Sequence, residues 1–228
     1  DNYKDSLNQA LTSAGYKNLS EYRQKMIKQI QYANFLLDYI DDHFDDVFND
    51  YYQQCAPKYV SLIKISVSDT SSLTDDENSK INEVKELINN TDKSFGDIAQ
   101  DYSNDSTTSK KKGSIGIVDT KDTAGISDSY GENVFNAINS LSEGQVSDVI
   151  TGDDGYYFVK VTSTDKKTLK KELKKTDIDS PLLAYDDYLQ YVVYNSYKIN
   201  YKDKDIKKIV QEVVNKALEE RKTERGEA

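Results

Sequence analysis

Residues 152–161 read GDDGYYFVKV, a polar turn and a glycine followed by an alternating apolar strand. A second stretch of the same kind, YVSLIKISV at 59–67, is β-branched with a period of two. Leu62, Lys64 and Ser66 fall on one face and Ile63, Ile65 and Val67 on the other. Between them lie GSIGIVD (113–119), a short strand opened by glycines, and QVSDVI (145–150), a further brief one. Helical signals separate these strands. TDDE at 74–77 is a capping box that opens a helix with Ile81, Val84 and Leu87/Ile88 as its buried stripe. SFGDIAQDYS lines up Phe95, Ile98, Ala99 and Tyr102, and VFNAINSL (134–141) is a short helix. NDSTTSKKKG (104–113) has nothing to bury and reads as an exposed loop, as does the stretch from Asp119 to Asp128. The order β-α-α-β-α-β-β predicts a small antiparallel sheet with helices on it, an α+β unit.

The flanks are helical. From Tyr3 to about Gln54, Tyr3, Leu7 and Leu11 and then Met26, Ile30, Ala33 and Leu37 recur at helical steps. Gly15 is a stop between them, and Asn18 with Glu21 a capping start, so an antiparallel helix pair at least is expected. Aromatic residues at 32, 35, 39, 44, 48, 51 and 52 exceed what one core stripe can use, and some are expected to face a cleft. After Thr164, DKKTLKKELKKTD is a basic helical stretch with Leu169 and Leu173 as its stripe. Ser180-Pro181 caps a helix running through 180–196, KINYKDKDI is a short strand or turn, and a last helix turns Ile206, Ile209/Val210, Val213 and Ala217 inward. EERKTERGEA, polar throughout, is expected to fray.

At 228 residues, with 36% hydrophobic and 31% charged residues, the chain supports two modest cores. Its net charge of -10 argues against nucleic acid, whose phosphates need clustered Lys and Arg. No apolar run is long enough to span a bilayer, and DNYKDSLNQA lacks a signal-peptide pattern, so the chain is either cytosolic or without its export segment. The single Cys55 and the single His43 supply no set of soft metal ligands, so neither metal nor cofactor is expected. Cys55 reads as a small apolar filler and His43, among aspartates, as part of a solvated helix face.

Four stretches in order make the middle of the chain resemble the parvulin-type peptidyl-prolyl isomerases: FGDIAQDYSND, GSIG, AINSLSEGQVS and DGYYFVKV, covering roughly 57–166. The flanks, YRQKMIKQIQYANFLLDYIDDHFDDVFNDYYQQ and YKINYKDKDIKKIV, resemble the helical part of the PrsA-type foldases, exported lipoproteins of Gram-positive bacteria. The resemblance implies a parvulin-like domain at 57–166 inserted in an all-α chaperone domain made of 1–56 and 167–228. It also implies unfolded or proline-containing secreted polypeptides as partners, no cofactor, an outward-facing position at the cell membrane, and a lipid anchor upstream of this chain. A homodimer is compatible with it.

Isomerising an X-Pro bond needs neither nucleophile nor metal. The barrier of ~18–20 kcal/mol is mostly lost amide resonance, so an apolar pocket that strips water from the carbonyl lowers it. The resemblance places the family's two histidines at Leu62 and Tyr157 and its third polar position at Ser106, with Asp105 a one-residue alternative. It places the proline-binding wall at Ile115, Tyr130 and Val134, with Phe135 an alternative under a one-residue slip. Both histidines are thus replaced. A tyrosine at 157 can donate one hydrogen bond but cannot pair as two imidazoles do. Lys110–Lys112 lie where some relatives are basic, though an exposed charge run is ordinarily a solvated one. Three readings follow: a foldase that holds unfolded secreted chains and carries a degenerate isomerase site, a working isomerase, and a surface adhesin or antigen that keeps the fold.

Overall fold

A computed structural model describes residues 2–173 and 178–227. The chain divides into two compact units, one of Asp1–Phe44 with Thr176–Ala228 and one of Asp45–Lys175. The sheet-bearing unit therefore takes in two helices that the sequence groups with the flanks, α3 (Phe44–Cys55) and α8 (Lys166–Leu173). The expected continuation of α8 at 174–177 lies outside the described residues.

The sheet-bearing unit is α+β, with four antiparallel strands in the order β2-β1-β4-β3. The strands are β1 (Lys58–Ser66), β2 (Ser114–Val118), β3 (Ile150–Thr151) and β4 (Gly155–Ser163). Register pairs Leu62 with Val159 and Lys64 with Tyr157, so these four residues share a face. The other face, carrying Ile63, Ile65 and Phe158, is covered by α4 (Asp75–Asn90) and α5 (Phe95–Tyr102) through Ile81, Val84, Phe95, Ile98 and Ala99. The first face packs Val60, Leu62, Tyr157 and Val159 against Val134 and Ile138 of α7 (Glu132–Ser140) and Ile126 of α6 (Ile126–Tyr130). Each fully buried aliphatic side chain here contributes about 1.5–3 kcal/mol by leaving water.

The expected capping box opens α4: the Thr74 hydroxyl accepts from the Glu77 N–H and the Glu77 carboxylate from the Thr74 N–H. At the start of β2, Gly113 sits at φ +80°, and its carbonyl accepts from the Leu62 N–H at 2.8 Å. A Cβ there would meet the Leu62 carbonyl oxygen at 2.6 Å, so only glycine permits this approach.

Several expectations are corrected. The loop expected from Asp119 to Asp128 ends early, because α6 begins at Ile126; the Asp122 carboxylate starts it by accepting the Ile126 and Ser127 N–H groups, a cap set four residues back rather than adjacent. The loop at 104–113 contains a turn of 3-10 helix over Ser109–Lys111, and Thr108 within it is buried. Of the strand expected over 145–150, only Ile150 continues into β3, and Val146 makes an isolated bridge to Lys160.

The helical unit comprises α1 (Asn2–Ser13), α2 (Leu19–Asp42), α9 (Leu189–Ser196) and α10 (Lys204–Glu224). The Asn18 side chain caps α2 by accepting the Glu21 N–H at 2.9 Å, as the sequence predicts. The helix does not run on to Gln54. It breaks at His43, where Asp41 and Asp42 oppose the negative helix end while Asp45 and Asp46 favour a new positive one at α3.

The helix expected over 180–196 is two pieces, a 3-10 turn at Pro181–Leu183 and α9. Asp186 separates them: it accepts the Tyr188 N–H in a local turn and takes the Arg221 Nε and Arg225 Nη2, each at 2.8 Å. That ion-pair cluster also holds the stretch expected to fray, since α10 continues to Glu224. Residues 197–203 are bends and irregular backbone rather than a strand.

The buried face of α10 is also corrected. Val214 and Ala217 are inside, whereas Ile206, Ile209 and Val213 are 54%, 60% and 51% exposed. The helix carries two apolar stripes one residue out of phase, and periodicity alone does not choose between them. Of the seven aromatic residues, Tyr39, Phe48 and Tyr51 are buried, Phe35, Phe44 and Tyr52 are half-buried, and Tyr32 is exposed. No helix among the described residues is long and apolar enough to cross a membrane.

Candidate functional site

The site forms on the sheet face that carries Leu62 and Tyr157, where β4, the 152–154 turn, α6, α7 and the 104–113 segment meet. Tyr157 is fully buried. Its ring lies edge-on to Tyr130 with centroids 5.9 Å apart, and over Gly152, where an added Cβ would come within 2.5 Å of the ring. Directly across the strand pair, Lys64 sits with its Nζ 5.8 Å from the Tyr157 ring centroid. Asp154, at the turn, joins the two: its Oδ1 accepts the Tyr157 hydroxyl and its Oδ2 the Lys64 ammonium. Tyr130 in turn donates to Asp105 Oδ2 at 3.1 Å, and Asp105 also accepts from Thr108 Oγ1 at 2.8 Å and the Thr107 N–H at 3.0 Å.

The electrostatics follow from these contacts. The Lys64 hydrogen bond, helped by Tyr157, holds the Asp154 carboxyl below the usual carboxylate range. Burial works to raise that of Asp105, but the hydrogen bonds from Thr108, Thr107 and Tyr130 outweigh it and leave it lowered. Burial, then Asp105, pushes Tyr130 up to about 12. Burial and the Asp154 bond push Tyr157 higher still. Each tyrosine is thus a proton-bearing phenol whose hydrogen is given to a carboxylate.

The expected site residues separate into three groups. Tyr157, Asp105 and Tyr130 come together in this network. Leu62 and Val134 are fully buried in the core beneath it, so they support the site without presenting surface. Ile115 and Phe135, both half-buried, pack on the same cluster and give an apolar margin. Ser106 is exposed on the 104–113 segment, where Asp105 and not Ser106 turns inward.

Lys64 and Asp154 were missed. The signal was present in the alternation of β1, which sets a lysine on the same face as Leu62. A charge in such a place requires a partner, and the Asp153-Asp154 turn before Tyr157 supplies one. Lys110 and Lys111 are exposed, and Lys112 pairs with Asp97 at 2.8 Å rather than entering the site. Among the described residues no group of three or more His, Cys, Asp or Glu is arranged to hold a metal ion. Chemically, the arrangement offers an apolar margin, a half-buried Tyr130 phenol and, beneath it, the buried Tyr157 phenol held by the Asp154–Lys64 ion pair.

Residues 62–163 match the rotamase family model, described as a PPIC-type PPIASE domain. The chain is 30% identical over 159 residues to a foldase protein PrsA of Staphylococcus epidermidis, covering 67% of this chain and 46% of that protein. A foldase protein PrsA of Staphylococcus aureus is 29% identical over 159 residues, with coverage of 67% and 47%. The chain spans just under half the length of the curated relatives it matches. Among solved structures, PrsA from Bacillus subtilis superposes with a TM-score of 0.44 at 22% identity, over 90% of this chain and 75% of that one. By its motifs, its α+β rotamase-type core and its relatives, the chain belongs to the PrsA-type foldase family, with a parvulin-type rotamase domain across residues 62–163.

Proposed function

We propose that this chain is the working part of an extracytoplasmic foldase that holds unfolded secreted polypeptides on its helical unit and receives their proline-containing segments at the rotamase-type site. The observation that carries this reading is the apolar stripe Ile206, Ile209 and Val213 of α10, which is exposed rather than packed. Within the same unit, Tyr194, Tyr197 and Ile199 are also exposed and line a groove of about 420 Å³ beside α10, together with Val210 and Val214. Exposed apolar side chains of this kind on a protein with a net charge of -10 suit a transient hold on unfolded chains, because the charge keeps the carrier itself dispersed. Membership of the family supports an outward-facing position at the cell membrane, with a lipid anchor outside this chain. That the sheet-bearing unit, Asp45–Lys175, is an insert in a split helical chaperone domain is part of the same proposal.

Suppression of aggregation of a reduced secreted enzyme tests it. The whole chain should protect, and Ile209→Ser/Val213→Ser, which alters exposed positions only, should lose most of that protection with its circular dichroism unchanged. Equal protection by the variant counts against the helical unit as the holding surface. Light scattering on the same samples shows whether a second copy covers the stripe. A second reading, a working isomerase, is favoured by the organised tyrosine–carboxylate network. Turnover of a proline peptide above background that is lost in both Tyr157→Phe and Ile115→Ala supports it.

A further inference from the structure

The groove beside α10 in the helical unit is positively charged in a chain that is otherwise acidic. One face of α10 enters it, where Lys207, Val210, Gln211, Val214 and Asn215 recur at helical steps. The end of α9 and the irregular segment after it add Tyr194, Tyr197 and Lys198. Residues 197–208 hold five lysines and two aspartates, a balance of +3 against -10 for the whole sequence. The Asp203 carboxylate is turned to the backbone, where it caps α10 by accepting the Asp205 and Ile206 N–H groups at 2.8 and 3.2 Å. No aspartate or glutamate lines the groove. Among the described residues no carboxylate pairs with Lys198 or Lys207, and both are exposed. The tyrosines have a fixed seat: the Phe35 ring of α2 lies 6.2 Å from that of Tyr194 and 5.3 Å from that of Tyr197, centroid to centroid. Each tyrosine is nevertheless 43% exposed, so part of its ring is open to a ligand.

We infer that this groove takes an extended polypeptide segment in which an aspartate or glutamate stands beside a large apolar side chain. Lys198 and Lys207 pair with the carboxylate, and the rings of Tyr194 and Tyr197 cover the apolar side chain. The exposed amides of Asn195, Gln211 and Asn215, each both donor and acceptor, suit the backbone of such a segment. The preference rests on the reading that the helical unit holds unfolded chains, and it names which of their segments are held there. The net charge of the carrier does not cancel it. With a Debye length of about 8 Å at physiological ionic strength, distant carboxylates are screened, and two lysines in direct contact decide the sign. A polypeptide fits better than a lipid surface, because the site is concave and lined by amides, whereas an interfacial helix lays an apolar face on a bilayer.

Fluorescence polarisation on the whole chain tests this with labelled, proline-free peptides: one carrying phenylalanine and glutamate, one with lysine in place of each glutamate, and one with alanine in place of each phenylalanine. Proline is left out so that the rotamase-type site is not offered its own ligand. The glutamate peptide should bind about tenfold more tightly than the lysine peptide, the size expected of two part-exposed ion pairs. The alanine peptide should bind more weakly than its phenylalanine parent, having no apolar side chain to cover. Lys198→Gln/Lys207→Gln should remove the margin for glutamate, and Lys198→Glu/Lys207→Glu should reverse it in favour of the lysine peptide. Both positions are exposed, and a glutamate in the first turn of α10 suits the helix dipole, so circular dichroism should be unchanged.

A chain that suppresses aggregation yet takes the glutamate and lysine peptides equally, or takes neither, overturns the inference and leaves the helical unit standing as the holding surface. A margin for glutamate that survives in Lys198→Gln/Lys207→Gln overturns it too, since the preference then arises elsewhere. A chain that neither binds these peptides nor suppresses aggregation overturns the holding surface and the inference together. Sedimentation with phosphatidylglycerol vesicles that is lost in Lys198→Gln/Lys207→Gln and is not competed by the glutamate peptide assigns the groove to an anionic lipid surface and overturns the inference as well.

Discussion

Histidine and tyrosine both place a ring and a polar atom at a strand position, but their ordinary pKa values lie near 6.5 and 10, and the difference determines what the site can sense. Tyr130 and Tyr157 are raised above the ordinary tyrosine value, so the part of their contribution that depends on the phenol proton is present throughout the neutral range and is lost only as pH rises through the raised values. Asp105 and Asp154 are lowered, so theirs is present above the ordinary carboxylate range and lost as pH falls through the lowered values. No member of this network with a resolved shift changes charge between about pH 5 and 9. Peptide binding at the site should therefore be flat over that interval by fluorescence polarisation, and a transition near pH 6.5 would contradict the assignment. Gly152 gives a steric check. Gly152→Ala drives a Cβ onto the Tyr157 ring and the Tyr130 carbonyl oxygen, which are 2.5 and 2.6 Å from it. The expected cost is about 1–3 kcal/mol in urea unfolding, with weakened peptide binding. At this scale the inward direction of Leu62 and of Tyr157 was legible from the alternation of each strand, whereas the partner of Lys64 was not, because it depends on the register of β1 on β4 and register is not written in either strand alone.

Among the elements, those with a local cause were the most legible. The Thr74–Glu77 box and the Asn18 cap each satisfy helix N–H groups with a side chain three residues away, and both were found from sequence. Elements set by tertiary contacts were not. α6 depends on an aspartate four residues back, the break before α9 on the ion pairs of Asp186, and the rotation of α10 on which of two apolar stripes meets its neighbours. Asp186 makes the most testable case, since its side chain is 2% exposed and joins two guanidinium groups to the start of α9. Asp186→Asn removes the negative charge between them and should cost about 3 kcal/mol, read as a lowered urea midpoint for the helical signal. A midpoint unchanged within error would show that the cluster is not formed in solution.

For the whole molecule, the composition indicated two modest cores, and two compact units are present. The sheet-bearing unit holds apolar clusters on both faces of its sheet and also the buried Tyr51–Asp119 hydrogen bond, at 2.8 Å, that ties α3 to the segment after β2. A fragment spanning 45–175 is accordingly expected to fold alone and unfold in one cooperative step, whereas a fragment cut at 57 loses α3 and should be less stable. If the shorter fragment matched the longer one in urea midpoint, α3 would not belong to that core. The aromatic residues of 32–52 show why the sequence placed this boundary late: their density suggested a cleft in the helical flank, but Phe48 and Tyr51 are spent on the core of the other unit.

The rotamase-type site around Tyr157 and Tyr130 is expected to receive proline-containing chain. Its most direct measurement is a titration of the whole isotopically labelled protein with a proline peptide and with its alanine counterpart, followed at side-chain resonances. Shifts are expected at Ile115, Tyr130 and Phe135 with the proline peptide alone, and none at Ile81 and Val84 on the opposite face of the sheet. Equal shifts with both peptides, or shifts confined to the helical unit, would contradict it.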